Sequence, residues 1–315
     1  TVPEGVTSIP ANAFYGLKSL KSVTLPSTLQ SIGNYAFAYC TSLESIVIPE
    51  TMVVLGTNLF QGCTSLSSVT LPEGLDVLSN YMFEGCTSLK TIDLPESLTY
   101  LGTYTFQNSG LTSVTIPAGV KHLSLSKTSS AASGTHNVYT FANCTDLVSV
   151  TFNEGLETMG RFVFSGCTSL ESVKLPSSLY CMDRENFSNS GLKSITIPAT
   201  LTDWDYSFIN CTSLVTVTLE RGITEIPYSA FSGCTSLTTV NLPDTLTEMA
   251  RGVFSGCTSL SNIVLPESLV EIGGSAFANC TSLKSLVIRP NTAITSSGTF
   301  SGWTAEQTIY ILSLI

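Results

Sequence analysis

Ten cysteines and two histidines are the residues of this 315-residue chain with the broadest chemical reach. Nine of the cysteines stand three residues after a phenylalanine: Cys40, Cys63, Cys86, Cys144, Cys167, Cys211, Cys234, Cys257 and Cys280. Such a row could close disulfides, ligate a soft metal as thiolates, or act as buried hydrogen-bond donors. If the row follows the rungs of a parallel sheet, neighbouring Cα atoms lie about 5 Å apart, inside the disulfide range. Distance therefore leaves bridging open. Symmetry argues against it, because each interior thiol has two equivalent neighbours and nine is an odd number. Metal sites need ligands converging at short loop spacings, and a linear row has none. The row therefore predicts a column of buried thiols whose S–H groups bond nearby loop carbonyls. His122 and His136 flank a Ser-rich stretch with no further ligands beside them, so they read as solvated loop residues. Catalysis needs a nucleophile, a base and an orienting group in one pocket. The sequence has no nucleophile-elbow or zinc motif, so no catalytic residue, metal ligand or cofactor is assigned.

The element that must position the cysteines is a repeat. Phe14, Phe37, Phe60, Phe83 and Phe106 are spaced by 23 residues, and after a longer gap Phe141, Phe164, Phe187, Phe208, Phe231, Phe254, Phe277 and Phe300 resume the series with one short interval. A period of 20–30 residues marks a solenoid, one supersecondary unit stacked on its own copies. Length alone would suggest two domains; the repeat predicts a single one over residues 1–315. Within a repeat, Leu43, Ile46 and Ile48 form an L-x-x-I-x-I pattern whose end alternates as a half-buried strand does. Pro49 follows at once, as Pro26, Pro72, Pro95 and Pro243 do elsewhere. Proline lacks the N–H a ladder needs and turns the chain. With one strand per repeat, equivalent strands must be parallel neighbours. A second apolar pair follows, such as Leu269 and Ile272, and then the Phe.

The position two after the Phe is almost always Gly or Asn, from Gly16 and Gly62 through Asn143 and Asn210 to Gly302. These types share tolerance of left-handed backbone, which predicts a left-handed residue in each rung; Tyr39 is the exception. The period breaks twice. Between Phe106 and Phe141 about 13 residues are gained, as a Ser-rich loop near 124–139. Between Phe187 and Phe208 two are lost, near the out-of-register Cys181 and the stretch Asp203-Trp204-Asp205. Trp204 falls in an apolar column and reads as core. Ser109-Gly110 and Ser190-Gly191 replace the usual Cys-Thr-Ser.

Only 11% of residues are charged, and Ser and Thr fill the polar positions. A neutral, hydroxyl-rich surface suits an extracellular setting. The net charge of −10 supplies no basic stripe to release counterions, which argues against nucleic acid and anionic membranes. No apolar run reaches the 18 residues of a spanning helix. The chain opens inside a repeat and reads as a mature or excised segment, so the lack of a signal peptide says nothing of destination.

The stretch Phe60-Gln61-Gly62-Cys63-Thr64-Ser65-Leu66, running to Leu71-Pro72, resembles the BspA-like class of leucine-rich repeats; Phe83–Pro95, Phe231–Pro243 and Phe254–Pro266 do the same. The likeness spans essentially the whole chain. It implies a leucine-rich-repeat solenoid, right-handed, with a concave parallel sheet of about 12–13 rungs and a closing rung near 300–315, where Trp303 takes the cysteine place. It also implies a surface or secreted protein, bacterial by expectation, that adheres to a protein or glycoprotein such as host extracellular matrix. The alternative is a spacer, or a self-assembling layer or filament subunit; the oligomeric state is not specified.

Two surfaces are candidate binding sites. The first is the strand face, where Thr91, Asp93, Thr115, Thr151, Lys174, Thr196, Thr218 and Asn241 stand between the buried positions. The second is an aromatic flank two residues before the spine Phe: Tyr35, Tyr81, Tyr104, Tyr139, Phe162 and Tyr206. These rings either face a partner or pack on one another to shield the rungs. Four sequons stand at Asn143, Asn186, Asn210 and Asn279; three of them fall at the left-handed position, where Asn serves the turn, and they read as backbone chemistry.

Overall fold

A computed structural model describes residues 1–123, 137–289 and 291–311. The Ser-rich insertion up to residue 136, His136 included, lies outside the described residues, as do the last four residues of the closing rung. The contacts group into two compact units, Thr1–Leu170 and Glu171–Ile315. Each is a parallel β-solenoid with almost no helix, a 3-10 turn at Ser297–Phe300 apart. The thirteen spine phenylalanines mark about thirteen turns along the chain.

Each turn is built on the phenylalanine spine. In the first unit the rings of Phe14, Phe37, Phe60, Phe83, Phe106, Phe141 and Phe164 stack in sequence, with centroids 4.9–5.8 Å apart and near-parallel planes. In the second, Phe187, Phe208, Phe231, Phe254, Phe277 and Phe300 do so at 5.5–6.2 Å. All are fully buried except Phe14 and Phe300, which are half-buried. Each buried ring contributes about 1.5–3 kcal/mol by leaving water.

The strands pair in register at the repeat. In the first unit Ser45–Val47 pairs with Ser68–Thr70, and Ser113–Ile116 with Ser149–Phe152. In the second, Ser194–Ile197, Thr216–Leu219 and Thr239–Asn241 form one ladder, and Ser285–Ile288 pairs with Thr308–Ile311. The stretches Thr91–Asp93, Ser172–Lys174 and Asn262–Val264 do not join these ladders, so the strand face is a set of short ladders.

One strand per repeat was too few. A second column of two-residue strands forms from the later apolar pair: Ser8–Ile9, Ser31–Ile32 and Val54–Leu55 in the first unit, and Glu225–Ile226, Glu248–Met249, Glu271–Ile272 and Ala293–Ile294 in the second. Two residues carry too little alternation to announce a strand in sequence. The apolar member is buried at Ile9, Ile32, Ile226, Met249 and Ile272, half-buried at Leu55 and exposed at Ile294 in the last turn.

Left-handed backbone recurs twice per turn. The predicted position is confirmed from Gly16 and Gly62 to Asn143 and Gly302, and Tyr39 adopts it too, at φ 60°. A second left-handed residue stands two before the Phe: Asn12, Tyr35, Asn58, Tyr81, Tyr104, Tyr139, Phe162, Glu185, Tyr206, Ser229, Gly252 and Ser275. Alternating hand turns the amides toward the next turn. Tyr81, Phe83 and Gly85 donate to the carbonyls of Thr103, Thr105 and Gln107 at 2.8–2.9 Å. A bend that would otherwise strand buried amides becomes a third hydrogen-bonded column.

Candidate functional site

The thiols are fixed by this bend. All ten cysteines are free and buried. Each column member donates its S–H to the carbonyl of the spine phenylalanine one turn earlier: Cys40 to Phe14, Cys63 to Phe37, Cys86 to Phe60, Cys144 to Phe106 and Cys167 to Phe141, at 3.0–3.2 Å. In the second unit Cys211, Cys234, Cys257 and Cys280 do the same to Phe187, Phe208, Phe231 and Phe254, at 2.9–3.3 Å. In the last turn the indole N–H of Trp303 takes over, donating to Phe277 at 3.0 Å. Burial pushes the Cys63 and Cys280 thiols up to about 12. Such thiols stay protonated, as donors must, and have little nucleophilic character. Among the described residues, no group of three or more His, Cys, Asp or Glu side chains is placed to hold a metal.

The irregular residues are structural as well. Trp204 is buried edge-on against Phe208 and Phe231, with centroids 6.2 and 5.5 Å away. Cys181 sits in a short strand and donates to an Asp203 carboxylate oxygen at 3.6 Å; burial, and next the charge of Asp203, push its thiol up to about 12. His122 is not the solvated loop residue its sequence context suggests: it is half-buried in the short strand His122–Leu123, paired with Thr158–Met159, and shares a 2.9 Å hydrogen bond with the Thr158 hydroxyl.

On the aromatic flank of the first unit, Tyr81, Tyr104, Tyr139 and Phe162 stack ring on ring at 4.5, 5.1 and 4.7 Å. All four are half-buried. Tyr35 stands outside this stack and meets Tyr15 edge-on, as Tyr39 does. In the second unit the guanidinium of Arg184 lies 5.3 Å over the ring of Tyr206. The stacked rings spend their faces on one another and offer edges to solvent. Left-handed φ at a bulky residue costs about 1–2 kcal/mol, which stacking of about 0.5–1.5 kcal/mol per pair offsets.

The strand face is open. Thr91, Asp93, Thr115, Thr151, Lys174, Thr196 and Asn241 are exposed, and Thr218 is half-buried, accepting from the Asn241 amide at 3.0 Å. Register brings some of these residues together. Thr115 pairs with Thr151, and Thr196, Thr218 and Asn241 form one row. Lys174 and Thr196 line one shallow depression of about 320 Å³, with Ser172, Ser194 and Glu220. Thr91 and Asp93 stand where the ladder is interrupted.

Sequence reasoning passed over one charged feature. Glu225, Glu248 and Glu271 stack in register on the second strand column. Glu225 is exposed, yet partial desolvation in the stack, then the charges of Glu248 and Asp205, hold its carboxyl above its ordinary value. Their 23-residue spacing was the available signal.

The columns match one known repeat class along nearly the whole chain. The model of the BspA type leucine rich repeat region (6 copies) matches residues 7–130, 135–219 and 204–315. The chain belongs to this family. Repeats of this class build protein-interaction or surface modules and are typically non-catalytic. No curated protein matches the chain. Among solved structures it is similar to a leucine-rich repeat protein from Bacteroides ovatus, at 24% identity over 98% of this chain and 92% of that one, TM-score 0.48. It is also similar to the pneumococcal vaccine antigen PcpA, at 20% identity over 99% and 78%, TM-score 0.48. A leucine rich cell surface protein from Faecalibacterium prausnitzii matches at 24% over 98% and 84%, TM-score 0.47. Among the described residues, no helix is long and apolar enough to cross a membrane.

Proposed function

We propose that the chain is a protein-binding module of a cell-surface or secreted protein, acts in adhesion, and takes its partner on the strand face. The observation that carries this reading is the in-register hydroxyl rows, Ser113/Thr115 beside Ser149/Thr151 and Ser194/Thr196 beside Thr216/Thr218 and Thr239/Asn241, all exposed but for the half-buried Ser113, Thr216 and Thr218. Small hydroxyls and amides both donate and accept. They suit a protein or glycoprotein surface, such as one in host extracellular matrix, met through a polar and partly wet interface. The aromatic flank is the weaker candidate, because its stacked rings already face each other. The net charge of −10 disfavours nucleic acid as the ligand.

The test is surface-plasmon-resonance binding of the purified chain to a panel of extracellular-matrix glycoproteins, with sedimentation velocity over a hundredfold concentration range. Saturable binding by a monomer supports adhesion. Failure to bind any member overturns it: self-association with rising concentration then makes the chain a layer or filament subunit, and an inert monomer makes it a spacer.

A further inference from the structure

Three of the four sequons have the geometry of modification sites. Asn143, Asn210 and Asn279 are exposed, each in the left-handed turn that follows a spine phenylalanine, at φ 57–58°. The hydroxyl residues two positions on, Thr145, Thr212 and Thr281, are exposed as well. No hydrogen bond within the described residues occupies the Nδ2 of these three asparagines. Their carboxamide oxygens lie over Gly166, Gly233 and Gly302, one turn further on, where a Cβ would overlap them. Asn108 and Asn189 occupy the same turn position without a hydroxyl two residues later, and there the next turn carries Asn143 and Asn210 in place of glycine. The glycine that makes room for the carboxamide thus accompanies the sequons and not the other asparagines. Asn186 is the opposite case: its side chain is fully buried and its Nδ2 donates to the Asp183 carbonyl.

From this geometry we infer that Asn143, Asn210 and Asn279 accept N-linked oligosaccharide and that Asn186 does not. The donor class is an oligosaccharide joined through pyrophosphate to a lipid, presented by a membrane-bound transferase. The asparagine nitrogen forms a bond to the sugar C1 as the C1–O bond to pyrophosphate breaks. The nitrogen gives up one proton, the lipid pyrophosphate leaves, and no electrons are gained or lost. Each glycan would stand at the bend, leaving the strand rows uncovered. For its occurrence in the native source the inference rests on the surface or secreted reading; the test forces secretion and fails separately from it.

The chain is secreted from a eukaryotic culture that also secretes a reporter of known sequon occupancy, and a bacterial cytoplasmic preparation serves as the unglycosylated reference. Peptide mapping after peptide N-glycosidase F, which leaves aspartate at each released site, reads occupancy at the four positions. The expected result is conversion at Asn143, Asn210 and Asn279 with none at Asn186. The N143Q/N210Q/N279Q variant should show no glycan mass. The enzyme-treated and untreated proteins should share the reference's circular dichroism. Occupancy of fewer than all three sites while the reporter is glycosylated overturns the assignment, as does occupancy of Asn186 in the folded, secreted protein.

Discussion

Replacing Phe231 by alanine isolates the spine from every other column of its turn. The ring is fully buried, stacked between Phe208 at 5.5 Å and Phe254 at 5.8 Å, with Trp204 edge-on at 5.5 Å. The backbone carbonyl that receives the Cys257 thiol is untouched by the change. Alanine leaves a cavity between aromatic neighbours that the fixed turn spacing prevents from closing, so the cost is about 3–5 kcal/mol. Phe14→Ala is the control. That ring is half-buried and has a single stacking neighbour, Phe37 at 4.9 Å. Its loss should cost about half of the ~1.5–3 kcal/mol assigned to full burial. Solenoid turns couple mainly to their neighbours, so one global midpoint can hide a local opening. Urea unfolding should therefore be followed with native-state hydrogen exchange. Exchange at Phe208–Phe254 amides should accelerate by two orders of magnitude or more in Phe231→Ala. Equal losses at positions 14 and 231 would refute the reasoning, because burial and neighbour number would then not set the cost.

Four further outcomes follow from the same geometry. Gly166→Ala should cost clearly more than Gly85→Ala: both glycines are left-handed, but a Cβ at 166 overlaps the Asn143 carboxamide while one at 85 meets nothing closer than 3.7 Å. Adding Asn143→Gly should return Gly166→Ala to about the ~1 kcal/mol of a bare left-handed alanine, read by urea midpoint in a double-mutant cycle. Thiol titration should find ten reactive cysteines in guanidinium and almost none in the native chain at pH 8, and a denatured count well below ten would mean bridges. Cys86→Ala should cost about 1–3 kcal/mol, because the buried Phe60 carbonyl loses its donor. Glu225→Gln should stabilise the chain at pH 7 and have no effect at pH 3. A raised carboxyl contributes stability that is present below its ordinary value and lost as pH climbs through the higher folded value; thermal midpoints across pH 3–7 check the sign.

The columns with a full-length chemical signature were legible in sequence. Phe at period 23, Cys three residues later and Gly or Asn between them each repeat often enough to define a buried ring, a donor and a left-handed turn. The second left-handed position was not legible, because Tyr81, Tyr104 and Tyr139 are types that seldom adopt it, and only Asn12, Asn58 and Gly252 in the same column hinted at it. Its cause is tertiary: the left-handed residue aims its amide at a carbonyl of the next turn, as Asn58 does at Asn80 and Tyr81 at Thr103, and that partner exists only once turns are superimposed. The two-residue strands were hidden by their brevity, and Glu225, Glu248 and Glu271 form a stack only once register aligns them. On the strand face, sequence identified which residues point outward, but not that Thr91–Asp93 and Ser172–Lys174 leave the ladder.

The strand face, not the aromatic flank, is proposed to meet the partner. The direct measurement is the affinity of two double variants for the matrix glycoprotein that the wild-type chain binds best. Thr196→Arg/Thr218→Arg places bulk and charge on one in-register pair of the strand face. Tyr81→Ser/Tyr104→Ser removes a stacked pair from the flank. With circular dichroism matching wild type, the strand-face variant should bind at least tenfold more weakly and the flank variant within twofold of wild type. The reverse pattern would contradict the claim and move the binding surface to the tyrosines.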